Sequence, residues 1–233
     1  MRADDLVAHE PWLVRIADWA ETQMKLADAG HGIDHVRRVV ENAKKIGAAE
    51  KADPRIFLPA AWMHDCIAVA KNSPDRAQAS TLASQAAKQF LESIDYPTEC
   101  VEPIAHCIQS HSFSAKIPCR TLEAKVLQDA DRLEAVGAIG LARCLMTGGS
   151  MHQRLYHPTN PFPTDRAPAD NEQSVDHFFA KLLGLHRTMQ TVEGREEASR
   201  RTEFLIRFLK QLASEIGISQ SVLDRAIELA RPT

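Results

Sequence analysis

No stretch of this chain approaches the roughly 20 consecutive apolar residues that a membrane helix needs, so no membrane partner is expected. An excess of positive charge is also missing: Lys and Arg total 28 against 31 Asp and Glu, for a formal net charge of −3. That excludes the global basic field used to bind duplex nucleic acid, while leaving room for a local phosphate site. The opening residues, MRADDLVAHEPW, carry acids and no apolar signal core, so a cytoplasmic location is expected. The five cysteines are an odd number without a C-x-x-C pair, which favours free thiols over disulfides or a thiolate metal site. Internal repeats, low-complexity tracts and the alternating pattern of β-strands are absent too. What is present is a 233-residue chain, 44% hydrophobic and 25% charged, rich enough for a sizeable core. Histidine, with ten residues, is in excess.

Almost everything reads as helix. Asp53-Pro54 is an N-cap followed by proline at the first helical position, and Ser73-Pro74 repeats the device. Apolar residues recur at spacings of three and four through Val36, Val39, Val40, Ala43 and Ile46, and again through Val126, Leu127, Ala130 and Leu133. The pattern predicts helices near 4–27, 33–49, 54–70, 76–93, 99–110, 121–146, 174–190, 195–216 and 219–230. One segment, 147–173, holds four prolines and two adjacent glycines without helical period. A loop of that length is functional or disordered as a rule, and it reads as a lid, an oligomer contact or a connection. The C-terminal helices are too few for a core of their own, so a single domain over 1–233 is expected.

Four ionisable side chains fall where apolar ones belong. His35 shares a stripe with Val39, Ala43 and Ile46; His64 follows Ala60 and Ala61, with Asp65 next; Asp131 lies in line with Leu127, Ala135 and Ala138. The helix period points His35, His64 and Asp131 at the core. Singly, each has an ordinary reading, as a hydrogen-bonded core histidine or an Arg-paired aspartate. Together they fail on energetics, because two buried carboxylates repel and each costs several kcal/mol to desolvate without a partner. One divalent cation compensates both. Two imidazoles and two carboxylates suit Mn, Fe, Mg, Ni or Zn, with Mn²⁺ favoured over Mg²⁺ by the imidazoles.

The surrounding words are HGIDHVRRV, AAWMHDCIAVAKNSPDRAQAS, IQSHSFSAKI and EAKVLQDADRLEAVGAIGLAR, continuing into DHFFAKLLGLHRTMQT. In these the chain resembles the HD-domain superfamily of metal-dependent phosphohydrolases, in a bacterial branch related to nucleotide pyrophosphohydrolases. The resemblance implies an all-α HD-domain helical bundle with a central metal site whose ligands are His35, His64, Asp65 and Asp131. It also implies that Lys71, Arg76 and His111 meet phosphate oxygens, since such a reaction needs cations beside its metal. Taken from spacing alone, Lys71 and Arg76 are a solvated charge pair. The carboxylate that many relatives carry three or four positions after the HD pair is replaced here by Ala68 and Val69. The resemblance therefore implies a nucleophile activated by the metal itself.

The function expected is hydrolysis of a (deoxy)nucleoside triphosphate to monophosphate and pyrophosphate, with a small nucleotide as partner. Alternatives on the same site are a phosphomonoesterase (5′-nucleotidase), a phosphodiesterase and a nucleotide sensor without turnover. Homo-oligomerisation and the roles of His31, Asp34 and His106 stay open. For Arg132 and Glu134 the simplest role is an ion pair steadying their helix.

Overall fold

Helices form where the three-and-four spacing is strongest, and the computed structural model, which describes residues 3–23, 32–67, 78–112 and 115–230, follows that rule. In order they are α1 (Ala3–Gln23), α2 (Ile33–Glu50), α3 (Pro54–Met63), α4 (Ala79–Ser93), α5 (Thr98–His111), α6 (Leu122–Arg132), α7 (Gly137–Ser150), α8 (Asp176–Ala180), α9 (Val192–Glu215) and α10 (Gln220–Leu229). The architecture is all-α. Among the described residues β structure is limited to one isolated bridge, between Arg154 and Gln173. No described helix is long and apolar enough to cross a membrane. The five cysteines are free.

The chain divides into two compact units, Met1–Asp131 and Arg132–Thr233. In the first, α3 packs against α1, α2 and α5, and α4 packs against α5. The core is built from Val36, Val39, Ala43 and Ile46 of α2, Phe57 and Ala60 of α3, Ile104 and Ile108 of α5 and Leu127 of α6, all buried. Each large side chain of this kind contributes about 1.5–3 kcal/mol when taken out of water. Asp53 caps α3 by accepting from Arg55 N at 2.9 Å, as the Asp-Pro signal predicts. Pro59 sits inside α3 and has no N–H for the Arg55 carbonyl four residues back. The buried Tyr96 hydroxyl supplies the missing donor, at 2.7 Å from Arg55 O. Gly47 marks the close approach of α2 and α3, because a Cβ there would lie 2.4 Å from the Phe57 ring.

In the second unit α9 packs against α7, α10 and a 3₁₀ segment, Leu182–Thr188. Two helix expectations and one loop boundary need correction in this unit. The helix over 121–146 is interrupted: α6 gives way to a 3₁₀ turn, Leu133–Ala135, and Val136 is extended before α7 begins. Gly137 adopts φ +73°, and a side chain there would also press on Arg201 at 3.2 Å, so the break is built on glycine. Arg201 Nη1 donates to the Leu133 carbonyl within the interruption, at 3.0 Å, alongside the Val136 N–H at 3.3 Å. The helix over 174–190 is a five-residue α8 followed by the 3₁₀ segment. The irregular loop begins after Ser150 rather than at 147. It is held at its neck by paired backbone bonds, Arg154 N to Glu172 O and Ser174 N to Arg154 O, and its Phe162 is fully buried.

Candidate metal centre

Helix periodicity placed His35 and His64 inward, and both are buried, at 3% and 1% exposure. His35 stands in the first turn of α2, which turns its side chain to the same face as Val39 and Ile46. His64 and Asp65 do not lie on a continuing helix, as the 54–70 expectation had it. α3 ends at Met63, His64 is its C-cap, and Asp65 follows in a turn. Leaving the helix there lets the adjacent side chains converge on one point. His111 closes α5, and Asp131 lies in the last turn of α6. Thus α3, α5 and α6 all deliver their ligand-type residues from C-terminal ends, where the helix dipole is negative and favours a cation.

The polar atoms meet closely. His35 Nε2 lies 3.4 Å from Asp131 Oδ1 and 3.9 Å from Asp65 Oδ2. His64 Nε2 is 3.7 Å from Asp65 Oδ2, and His111 Nε2 is 3.6 Å from Asp65 Oδ1. The His64 ring stands edge-on to both neighbours, with centroids 5.4 Å from His35 and 5.0 Å from His111. Two overlapping ligand groups result, His35–His64–Asp131 and His64–Asp65–His111, each with its ligand atoms within 4.8 Å of one another. The four side chains singled out by sequence as metal ligands are therefore brought together, and His111, expected to meet phosphate, joins them as a fifth.

The tautomers are set by backbone. His64 Nδ1 is 2.8 Å from Ala61 O and His111 Nδ1 is 2.6 Å from Ile108 O. A carbonyl can only accept, so Nδ1 carries the proton and, in the neutral ring, Nε2 presents a lone pair to the centre. His64 Nε2 is buried and has no hydrogen-bond partner among the described residues. A buried lone pair aimed at two carboxylates fits a divalent cation and little else. The titration of these groups agrees. Burial pulls the His64 pKa down, against the pull of Asp65. Burial raises the Asp65 and Asp131 carboxyls, but the surrounding histidines outweigh it and hold both below the ordinary value. His111 is also pushed down by burial, yet its hydrogen bond and charge attraction to Asp65 leave it raised.

The remaining candidates separate. Lys71, Arg76, His31, Ala68, Val69 and the Ser73-Pro74 signal lie outside the described residues. Asp34 occupies the first turn of α2 with its side chain 84% exposed, 3.9 Å from Arg37, which is a helix-start role. His106 Nε2 accepts from Arg120 N at 3.1 Å and so pins the segment after α5. Arg132 donates to Thr188 O at 2.7 Å and Glu134 lies 3.8 Å from Arg143, so each meets another partner instead of the expected mutual pair. Cys66 adjoins Asp65, but burial pushes its thiol up to about 12, which leaves it an inert hydrophobe.

This arrangement has known counterparts. The family model of the HD domain matches residues 32–136. The uncharacterized protein YpgQ of Bacillus subtilis is 34% identical over 207 residues, covering 87% of this chain and 92% of its own. Its crystal structure in complex with ADP is similar at a TM-score of 0.67 and 32% identity, over 88% of this chain and 97% of that one. An HD-superfamily hydrolase from Bacillus thuringiensis superposes at a TM-score of 0.71 and 28% identity, covering 90% and 99%. The chain belongs to the HD-domain superfamily. It is at the coarse level a metal-dependent hydrolase of that superfamily, with a His/Asp cluster that fits a divalent metal ion.

Proposed function

We propose that this protein hydrolyses nucleotides, cutting a (deoxy)nucleoside triphosphate to its monophosphate and pyrophosphate, with His35, His64, Asp65 and Asp131 holding the metal. The observation that carries the metal assignment is the buried Nε2 of His64, without a partner among the described residues and facing Asp65. The nucleotide assignment draws support from the ADP complex of the YpgQ relative. Coverage of that relative and of this chain by about nine tenths supports treating 1–233 as one functional domain.

A divalent cation held here supplies an activated water and neutralises phosphate charge, and the imidazole-rich donor set favours Mn²⁺ over Mg²⁺. The protein's own part is positioning. Backbone carbonyls fix the His64 and His111 rings, so their Nε2 atoms point into the centre without reorganisation. His111 serves in one of two protonation states. Neutral, it adds a lone pair to the ligand set; protonated, as its attraction to Asp65 favours, it donates to a phosphate oxygen. Lys71 and Arg76 follow the HD pair within eleven residues and are assigned to the outer phosphates.

A second reading is favoured by the pair of overlapping ligand groups: a phosphodiesterase, whose chemistry can draw on a second metal ion. Incubation of the purified protein with Mn²⁺ and a nucleotide panel, followed by product identification, separates the readings. Pyrophosphate and monophosphate appearing together support the pyrophosphohydrolase. Stepwise orthophosphate release points to the phosphatase, and tight binding without turnover points to a sensor.

A further inference from the structure

Two buried amides tie the ligand-bearing helices to one another. Asn42, on α2, is only 6% exposed, and its Nδ2 donates to Ala130 O at 3.3 Å. Gln128, on α6, is equally buried, and its Nε2 donates to Ser110 O at 2.9 Å. Both acceptors lie in the last turn of their helix, where carbonyls lose their intrahelical partners. Each also immediately precedes a residue of the cluster. The Ala130 carbonyl belongs to the peptide that leads into Asp131, and the Ser110 carbonyl to the peptide that leads into His111.

The spacing follows from helix geometry. Asn42 is seven residues after His35, two turns along one face, so the same face of α2 that presents His35 reaches α6. Gln128 is three residues before Asp131, close enough for one rigid turn of α6 to bind both. The chain of contacts therefore runs from α2 through Asn42 to α6, and from α6 through Gln128 to α5. It joins the backbones that carry His35, Asp131 and His111. An apolar side chain at either position would fill the core equally well but would leave a buried carbonyl without its amide donor.

We propose that Asn42 and Gln128 are positioning residues of the metal centre, fixing the separation of His35, Asp131 and His111 by bonding the carbonyls beside the two C-terminal ligands. The inference rests on the metal-site reading above. Its test is direct binding of Co²⁺, which also reports ligand geometry through its visible absorption. Asn42→Ala and Gln128→Met are compared with wild type, and Ser84→Ala serves as the control. Ser84 makes a buried side-chain bond to a helix carbonyl, 2.9 Å to Ala105 O in the middle of α5 and next to no residue of the cluster.

Each positioning variant is expected to bind Co²⁺ about 10–100-fold more weakly, as loss of a partner that orients metal ligands does elsewhere, with a changed absorption spectrum. Ser84→Ala is expected to lower the melting temperature while keeping affinity and spectrum. Should a variant fail to fold, Asn42→Val and Gln128→Leu replace it. Wild-type binding with unchanged affinity and spectrum in both variants overturns the inference alone. Equal weakening by Ser84→Ala reduces the two amides to ordinary core bonds and also overturns it. A wild-type protein that takes up no Co²⁺ overturns the metal-site reading and the inference with it.

Discussion

The cluster at the ends of α3, α5 and α6 and the loop between α7 and α8 both gather charged groups partly or fully out of water, and they do so in opposite ways. Where the loop enters α8, Asp176, the first residue of that helix, is fully buried and both of its oxygens are met. Arg166 Nη2 donates to Oδ1 at 2.8 Å, Arg166 Nη1 donates to Oδ2, and Ala169 N adds a third bond at 2.7 Å. The carboxylate is satisfied within the chain, so its role is to hold the loop. In the cluster, two carboxylates face three imidazoles, and the His64 Nε2 lone pair finds no donor among the described residues. A carboxylate whose oxygens the chain itself meets is architecture; a buried imidazole lone pair held among carboxylates and other imidazoles fits a metal ion.

The comparison can be broken most sharply at its two centres. His64→Ala or Asp65→Ala is expected to bring metal content and nucleotide turnover to background together, measured by metal analysis and product release. The melting temperature with metal falls as well, because binding to the native state contributes stability. Full activity in either variant would remove the cluster from the mechanism. On the other side, Arg166→Ala leaves Asp176 buried and uncompensated, a loss of about 3–5 kcal/mol. Thermal denaturation is expected to show the melting point lowered by roughly 10 °C, with metal content per folded molecule unchanged.

Smaller effects sharpen the distinction. Lys71→Ala and Arg76→Ala are expected to keep metal and lose turnover, by roughly 2–4 kcal/mol of transition-state stabilisation each, read as kcat/KM beside metal content. Normal hydrolysis by both would move the phosphate clamp elsewhere. Acidification gives the mildest test. His111 is raised by Asp65, so below its ordinary pKa it is protonated and must release that proton to offer a lone pair. Metal affinity is therefore expected to fall from pH 8 to pH 6, the histidine range, in Co²⁺ titrations. The sign reverses for the metal-free fold. A raised histidine contributes stability below its unfolded pKa and loses it as pH climbs through the folded value, so the His111 contribution to metal-free stability grows on the acid side of neutrality, opposed by His64, whose lowered pKa withdraws stability as pH falls. Below about pH 4, the ordinary carboxylate range, the depressed Asp65 and Asp131 begin to withdraw theirs.

Reading the sequence went furthest where one helix decides the outcome. His35 and His64 are inward because their own stripes are, and Asp53-Pro54 caps α3 because both groups act on neighbouring backbone. It failed where a helix ends for reasons outside its own period. The run 121–146 keeps apolar spacing across Val136, yet Gly137 at φ +73° stops it, and a glycine does not announce its dihedral. Arg132 and Glu134 are adjacent enough to suggest a pair, but Thr188 and Arg143 are brought nearer by folding. Asn42 and Gln128 carry a sequence signal of their own, since a polar residue on an apolar stripe is the same anomaly that marks His35.

What the sequence determined is the all-α class, the free thiols and the inward placement of His35 and His64, whereas Asp65 and Asp131 beside them are only half-buried, at 29% and 30% exposure. The class, the thiols and the inward histidines follow from composition and period, which act residue by residue. Only the tertiary structure decided that His111 joins the cluster, that His64 and Asp65 stand past a helix end and that two amides brace the ligand-bearing termini. These depend on which carbonyls three different helices leave unpaired and on which side chains from distant segments reach them. Helix periodicity says which face is buried; packing alone chooses what that face meets.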